Sequence, residues 1–276
     1  MLKKIICPVD FSDASRTALE YASHIARLTN AELQLLNYQQ AMPHQVLSPI
    51  SMRHAEIEEQ QPLITTELEK WCREANRAFG ITCSYEMDVD SVSLATAINE
   101  HSNENDLVII GTNGADDIFQ EWFGSNAFNV AKRSLCPVLI VPENFTFGTL
   151  RKLVFAWDYS MKKDELFNRL FAFAELLKTE IDFVHISSHA TELSKDVFNA
   201  AKDAGEEKFG GKIKAEYVRI YSSFPAESII DHMKEKHGDI LALTFGHGKL
   251  AKKIIQGKDS EGDHVPPSFP ILVFHE

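Results

Sequence analysis

Long apolar runs are missing from this 276-residue chain. The longest, such as Leu107-Val108-Ile109-Ile110, fall far short of the roughly 20 residues a membrane-spanning helix needs, so no membrane partner is expected. The amino terminus, Met1-Leu2-Lys3-Lys4-Ile5-Ile6-Cys7-Pro8-Val9-Asp10, sets lysines before a short apolar run, as a secretion signal does. The run is too short, and a carboxylate ends it where a cleavage site should approach. It reads as a strand, and the protein as cytoplasmic. Cysteine is sparse: Cys7, Cys72, Cys83 and Cys136 have no CxxC spacing and no nearby histidine cluster. A disulfide framework and a zinc site both give way to plain packing. Positive charge is scarce as well. Lys and Arg number 28 against 40 Asp and Glu, a formal net charge of −12, whereas phosphate contacts along a nucleic acid need clustered Lys and Arg. Nucleic acid is therefore set aside as the main partner. Neither a G-x-S-x-G elbow nor HExxH occurs. Pairing His185 with His189, or His232 with His237, as metal ligands is forced; the first pair straddles a strand end and the second is not at i,i+4. Surface or core histidines fit them better.

What is present is balanced. Hydrophobic residues at 44% and charged residues at 25% are those of a globular protein, and the length suits two domains, each able to bury its own core. The charge is uneven: up to Phe147 ten Lys and Arg face twenty Asp and Glu, while the remainder has eighteen against twenty. The two halves therefore present different surfaces.

An internal repeat organises the chain. Leu2 to Ser12 (LKKIICPVDFS) lies over Leu150 to Ser160 (LRKLVFAWDYS) at an offset of 148, repeating a basic pair, an apolar run, Asp, an aromatic and Ser. Asp106-Leu107-Val108-Ile109-Ile110 matches Asp239-Ile240-Leu241-Ala242-Leu243, and Cys136 to Val141 matches Phe269 to Phe274, both at an offset of 133. The second copy is thus shorter between its first and fourth strands. The extra stretch in the first copy is Gln39 to Met52, rich in Pro, Ser and Gln, which reads as a loop.

Strands and helices alternate in both copies. In the first, strands are predicted at Lys3–Val9, Glu32–Tyr38, Ile81–Met87, Asp106–Ile110 and Val138–Val141, with helices at Ala14–Leu28, Ala55–Phe79, Val92–His101 and Ser125–Ser134. Cap candidates precede them: Ser12 or Asp13, Asp90 or Ser91, and Ser125, with Gly80 placed for a left-handed helix end. In the second copy strands are predicted at Lys152–Trp157, Glu180–Ile186, Lys212–Ile220, Ile240–Phe245 and Ile271–Phe274. The pattern predicts an α/β fold of two tandem doubly wound domains, 1–143 and 149–276, each a five-stranded parallel sheet with helices on both faces. A linker from Pro142 to Gly148 joins them.

After the fourth strand comes Gly111-Thr112-Asn113-Gly114, then nine residues, then Gly124-Ser125-Asn126 opening a helix. Glycines let a backbone approach a ligand closely, and a helix start offers free N–H groups and a favourable dipole to an anion. In doubly wound sheets ligands sit beyond the carboxyl ends of strands, where strand order reverses. Asp10 and Gly111 both line such a crevice if their strands are neighbours. The alternative is that these glycines only shape a turn, and that Asp10 only caps a helix or ends a strand.

This loop resembles the G-x2-G-x9-G-[ST]-N pattern of the universal stress protein family, met at every position by Gly111, Gly114, Gly124, Ser125 and Asn126. The segments Pro8-Val9-Asp10-Phe11-Ser12, Asp106 to Thr112 and Cys136 to Pro142 resemble that family too. The resemblance implies a tandem member of the adenine nucleotide alpha-hydrolase-like fold, binding ATP or another adenine nucleotide. It implies that Asp10 contacts adenine, that Val9 and Tyr38 lie beside the base or sugar, that Gly111 approaches the ribose, and that Gly114, Gly124, Ser125 and Asn126 hold phosphates. Tyr38 stands where a smaller residue is usual, which alters the adenine pocket. The nine-residue stretch carries Asp116, Asp117 and Glu121 and no Lys or Arg; these are solvated loop charges, or else they call for Mg²⁺ beside a triphosphate or for a less charged nucleotide.

The aligned loop of the second copy has Thr244, His247, Gly257, Lys258 and Asp259, so only one glycine remains. Gly246-His247-Gly248-Lys249 is no P-loop, and Lys249, Lys252 and Lys253 read as a solvated helix face. The expected function is a nucleotide-binding stress-response sensor or binding module; a slow Mg²⁺-dependent ATPase and a ligand-free interaction scaffold are the rivals. Family members commonly pair through their fifth strands, so Val138–Val141 and Ile271–Phe274 are expected to pair within the chain as a pseudo-dimer, with homodimerisation left open.

Overall fold

The computed structural model describes residues 2–39, 50–103, 106–112, 125–157, 164–187, 192–209, 211, 213–245, 249–255 and 268–275. The first half runs β1 (Lys4–Pro8), α1 (Asp13–Thr29), β2 (Glu32–Tyr38), α2 (Ile50–Phe79), β3 (Cys83–Asp88), α3 (Leu94–His101), β4 (Leu107–Thr112), α4 (Ser125–Arg133) and β5 (Val138–Pro142). The second runs β6 (Lys152–Ala156), α5 (Asp164–Leu177), β7 (Glu180–Ser187), α6 (Glu192–Phe209), β8 (Ala215–Tyr221), α7 (Pro225–Glu235), β9 (Ile240–Phe245), α8 (Lys249–Ile255) and β10 (Ile271–His275). The strands form one ten-stranded sheet in the order β3-β2-β1-β4-β5-β10-β9-β6-β7-β8. Every neighbouring pair is parallel except β5 and β10, which are antiparallel with Leu139 opposite Leu272. The two strands expected to pair therefore do so.

The repeat recurs in the hydrogen bonds that join its strands. Glu32 N donates to Lys3 O at 2.9 Å, and Glu180 N to Arg151 O at 2.8 Å. Val108 N donates to Pro137 O at 2.9 Å, and Leu241 N to Pro270 O at 3.0 Å. Asn37 Nδ2 donates to Val9 O at 2.8 Å, and His185, 148 residues on, places Nδ1 2.9 Å from Trp157 O.

Strands buried on both faces need two covering layers, and these divide the core by face of the sheet, not by half of the chain. One cluster gathers Ile25 of α1, Trp71 of α2, Leu170 of α5 and Phe198 of α6. The other gathers Ile98 of α3, Val130 of α4, Ile229 of α7 and Ile254 of α8. Each runs across both halves, because the joined sheet leaves no wall between them. The segment after β5 is packed, too: Phe147 meets Tyr21 edge-on at 4.8 Å and stacks on His24 at 4.1 Å.

Local rules account for several helix ends. Ser12 caps α1, accepting from Ser15 N at 3.2 Å. Gly80 takes a φ of +65° just past α2, where a side chain would be strained. Two expectations are corrected. The cap of α3 is Ser93 and not Asp90 or Ser91, since Ser91 is drawn back to Asp88, donating N at 2.9 Å and Oγ at 2.8 Å. Helix α2 begins at Ile50, inside the stretch read as a loop; residues 40–49 lie outside the described set.

Candidate functional site

The site starts where β1 ends. Val9 stays tied to β2, its N donating to Leu36 O at 3.0 Å, and the chain then turns away at Asp10. Phe11 takes a φ of +67°, a left-handed conformation that costs a bulky L-residue about 1–2 kcal/mol. Its ring is held edge-on against Trp71 at 5.3 Å, and the Arg16 guanidinium lies 4.5 Å over Trp71. The turn directs the Asp10 carboxylate at Ser12, which donates from Oγ at 2.6 Å and from N at 3.1 Å. Burial pushes the Asp10 carboxyl up, but the hydrogen bonds from Ser12 and Ser15 outweigh it and hold the group below the usual carboxylate range. Asp10 is therefore ionised at neutral pH, with its charge at the start of α1, where a helix dipole favours it.

Gly111, near the end of β4, faces α1. A Cβ there would lie 2.1 Å from Ala14 O and 2.5 Å from Ala14 C. Helix packing alone thus requires glycine at this position, whatever approaches from outside. The close seating of α1 on β4 sets one wall of a cleft of about 270 Å³, near the lower end of small-molecule sites at roughly 300 Å³. The cleft opens beyond the carboxyl ends of β1 and β4, where β2 and β3 run out to one side and β5 to the other. Ligands of doubly wound sheets collect at such a reversal.

Val9, Asp10, Tyr38, Gly111 and Asn126 all line this cleft, so five residues singled out along 118 positions of sequence come together. Gly114 and Gly124 lie outside the described residues, as do Asp116, Asp117 and Glu121. Ser125 is the first residue of α4; its side chain is outside the described set. Burial, then the nearby Asp88 charge, pushes the Tyr38 hydroxyl up, so it stays neutral and able to donate. Sequence reasoning missed the apolar walls, Leu36, Leu94, Ile110 and Ala127, and the polar Ser12, Ser15 and Thr112. The apolar ones carry only the ordinary periodicity of a core.

In the second half, the positions of Gly111 and Thr112 are taken by Thr244 and Phe245. Thr244 is buried, and the Phe245 ring packs edge-on against Phe128 of α4 at 5.8 Å. Asp158, His247, Gly257, Lys258 and Asp259 lie outside the described residues. The paired histidines have other partners: His185 is bonded to Trp157 O, and His232 Nε2 lies 3.2 Å from Asp182. Among the described residues, no group of three or more His, Cys, Asp or Glu is placed to hold a metal ion, and no helix is long and apolar enough to cross a membrane.

The model of the universal stress protein family matches residues 1–142, just over half of the sequence. The chain belongs to the universal stress protein family. A universal stress protein from Archaeoglobus fulgidus DSM 4304 superimposes with a TM-score of 0.72 at 17% identity, covering 99% of this chain and 98% of its own. A putative universal stress protein from Pseudomonas aeruginosa UCBPP-PA14 gives 0.61 at 16% identity, over 99% and 93%. At these identities the likeness is one of fold, and it extends over both halves. A universal stress protein solved in complex with cAMP aligns at 26% identity with 50% of this chain and 96% of its own, with a TM-score of 0.34. No curated protein matches the chain.

Proposed function

We propose that residues 1–143 form a unit that binds one adenine nucleotide per chain, and that the unit 149–276 binds none or binds far more weakly. The observation that carries this is the cleft itself: Asp10, Gly111 and the start of α4 meet at the reversal of strand order. In this reading Asp10 accepts from the adenine amino group, and Val9 and Tyr38 flank the base or sugar. Gly111 borders the ribose. Gly114, Gly124, Ser125 and Asn126 hold the phosphates with backbone and side-chain donors at a helix start, where the dipole favours an anion. ATP is the ligand proposed, with Mg²⁺ offsetting the loop carboxylates. The protein acts as a cytoplasmic stress-response sensor or binding module, its two units joined as a pseudo-dimer.

Native mass spectrometry of freshly purified protein, followed by calorimetry with ATP, tests the reading. One nucleotide per chain is expected. Two equal sites, or no binding of any adenine nucleotide, overturns it.

A further inference from the structure

Strand β3 is an outer edge of the sheet, and α2 packs over it. Cys72 lies on the buried side of α2, while Cys83 opens β3 and is half-buried between the exposed Thr82 and Ser84. Eleven residues apart, in no recognisable motif, the two sulfurs stand 2.9 Å from one another, with the Cys83 thiol donating to Cys72 Sγ. A disulfide needs about 2.0 Å between sulfurs, so a shift of under about 1 Å joins them. Cys7 and Cys136 are fully enclosed, and burial pushes both thiols up.

We propose that Cys72 and Cys83 are an oxidation site, closing to a reversible disulfide when the folded protein meets hydrogen peroxide. The hydrogen bond from Cys83, working against burial, holds the Cys72 thiol below its ordinary range. Cys72 is thus the readier thiolate, and thiolate is the attacking form. Cys72 Sγ attacks one peroxide oxygen, the O–O bond breaks, and the hydroxide released takes up the proton that Cys72 gave. The product is a sulfenic acid. Cys83 Sγ then attacks Cys72 Sγ and expels the hydroxyl, which leaves as water with the Cys83 proton. Two thiols and one peroxide become one disulfide and two waters. The link clips α2 to the sheet edge one residue from Trp71, the ring that holds the left-handed Phe11.

The test treats the intact chain with hydrogen peroxide, blocks remaining thiols with an alkylating reagent without unfolding, then unfolds, alkylates again and weighs it. The expected product has lost two hydrogens, keeps two alkylatable cysteines, and gives one cross-linked peptide joining Cys72 to Cys83. Dithiothreitol restores four thiols. Cys72→Ser and Cys83→Ser are each expected to give no intrachain link. Retention of four thiols, sulfinic acids without a link, or a link between two chains overturns the proposal; the wild-type measurement decides it even where a variant fails to fold.

Discussion

Lys4 and Lys152 occupy the same place in the two halves, and each reaches across to the neighbouring strand. Lys4 meets the neutral Gln34 at 3.4 Å and lies 3.9 Å from the Asp106 carboxylate. Lys152 meets Asp182, at 3.0 and 3.1 Å to its two oxygens, and that carboxylate also takes His232. The same divergence marks the strand ends, where Gly111 and Thr112 in one half are Thr244 and Phe245 in the other. Main-chain geometry is what the two copies share. Once ladders and turns are satisfied, the same strand position accepts an amide or a carboxylate, an open cleft or a packed ring. One fold therefore does not imply two functions, and each site must be argued from its own side chains.

The sharpest way to break this comparison is through binding. Gly114→Val is expected to remove nucleotide binding from the whole chain. Losing two contacts of about 1.5–3 kcal/mol each weakens it by a factor of roughly 100 or more. His247→Ala should scarcely change the affinity measured by calorimetry, and binding that survives Gly114→Val puts the nucleotide in the wrong half. Stability comes next. Gly111→Ala forces a methyl group into the Ala14 carbonyl, and overpacking against backbone is expected to cost about 3 kcal/mol or more. Thr244→Ala, at the equivalent position, is expected to cost about 1 kcal/mol. Urea unfolding of both variants compares them; equal losses mean that α1 and α5 sit alike on the sheet.

A smaller effect is expected at the lysines. Asp182→Ala strands Lys152 and should cost about 2–3 kcal/mol, somewhat less than a fully buried pair because the lysine is partly wet. Gln34→Ala should cost under about 0.5 kcal/mol. Matching midpoints in urea would show that the ion cluster adds nothing over the amide.

The smallest effect is one of pH at the seam between the halves. His275 Nε2 lies 2.7 Å from Ala131 O, and its Nδ1 is buried without a partner. Burial holds the ring below its ordinary value of 6.5, outweighing the help of that carbonyl, and Arg169 adds to the depression. The unfolded chain therefore takes up this proton first, so the stability is full above about pH 6.5 and declines as pH falls toward the folded value. Thermal midpoints at about pH 7.5 and 5.5 should differ more for the wild type than for His275→Gln. His24, also depressed by burial, contributes equally to both proteins, so an unchanged difference removes His275 from the account.

Much of this was legible beforehand. The bounds of β2 and β9 follow from their apolar runs alone, and Ser12 and Gly80 follow from what helix ends require. The single sheet order could be reached from the repeat once two edge strands were seen to need covering. What escaped had physical reasons. Ser93 replaces Ser91 as a cap because Asp88 competes for Ser91, a choice that depends on where β3 ends. The Cys72 and Cys83 pair is invisible without the register of a helix on a strand. Gly111 lines the cleft and also seats the backbone of α1, a second demand for glycine that a loop motif does not reveal. The division of the core by face was missed because periodicity shows which residues are inside, not which neighbours they share.

The antiparallel meeting of β5 with β10 has a consequence for dilution. Two separate copies paired through such strands would part as their concentration fell, and both sites would be identical by symmetry. On one chain the partner is always present at an effective concentration on the order of millimolar, so the pairing does not depend on how much protein a cell holds. Freed from matching its twin, each copy can change its side chains at a strand end, as Thr244 and Phe245 have against Gly111 and Thr112, while the pairing holds.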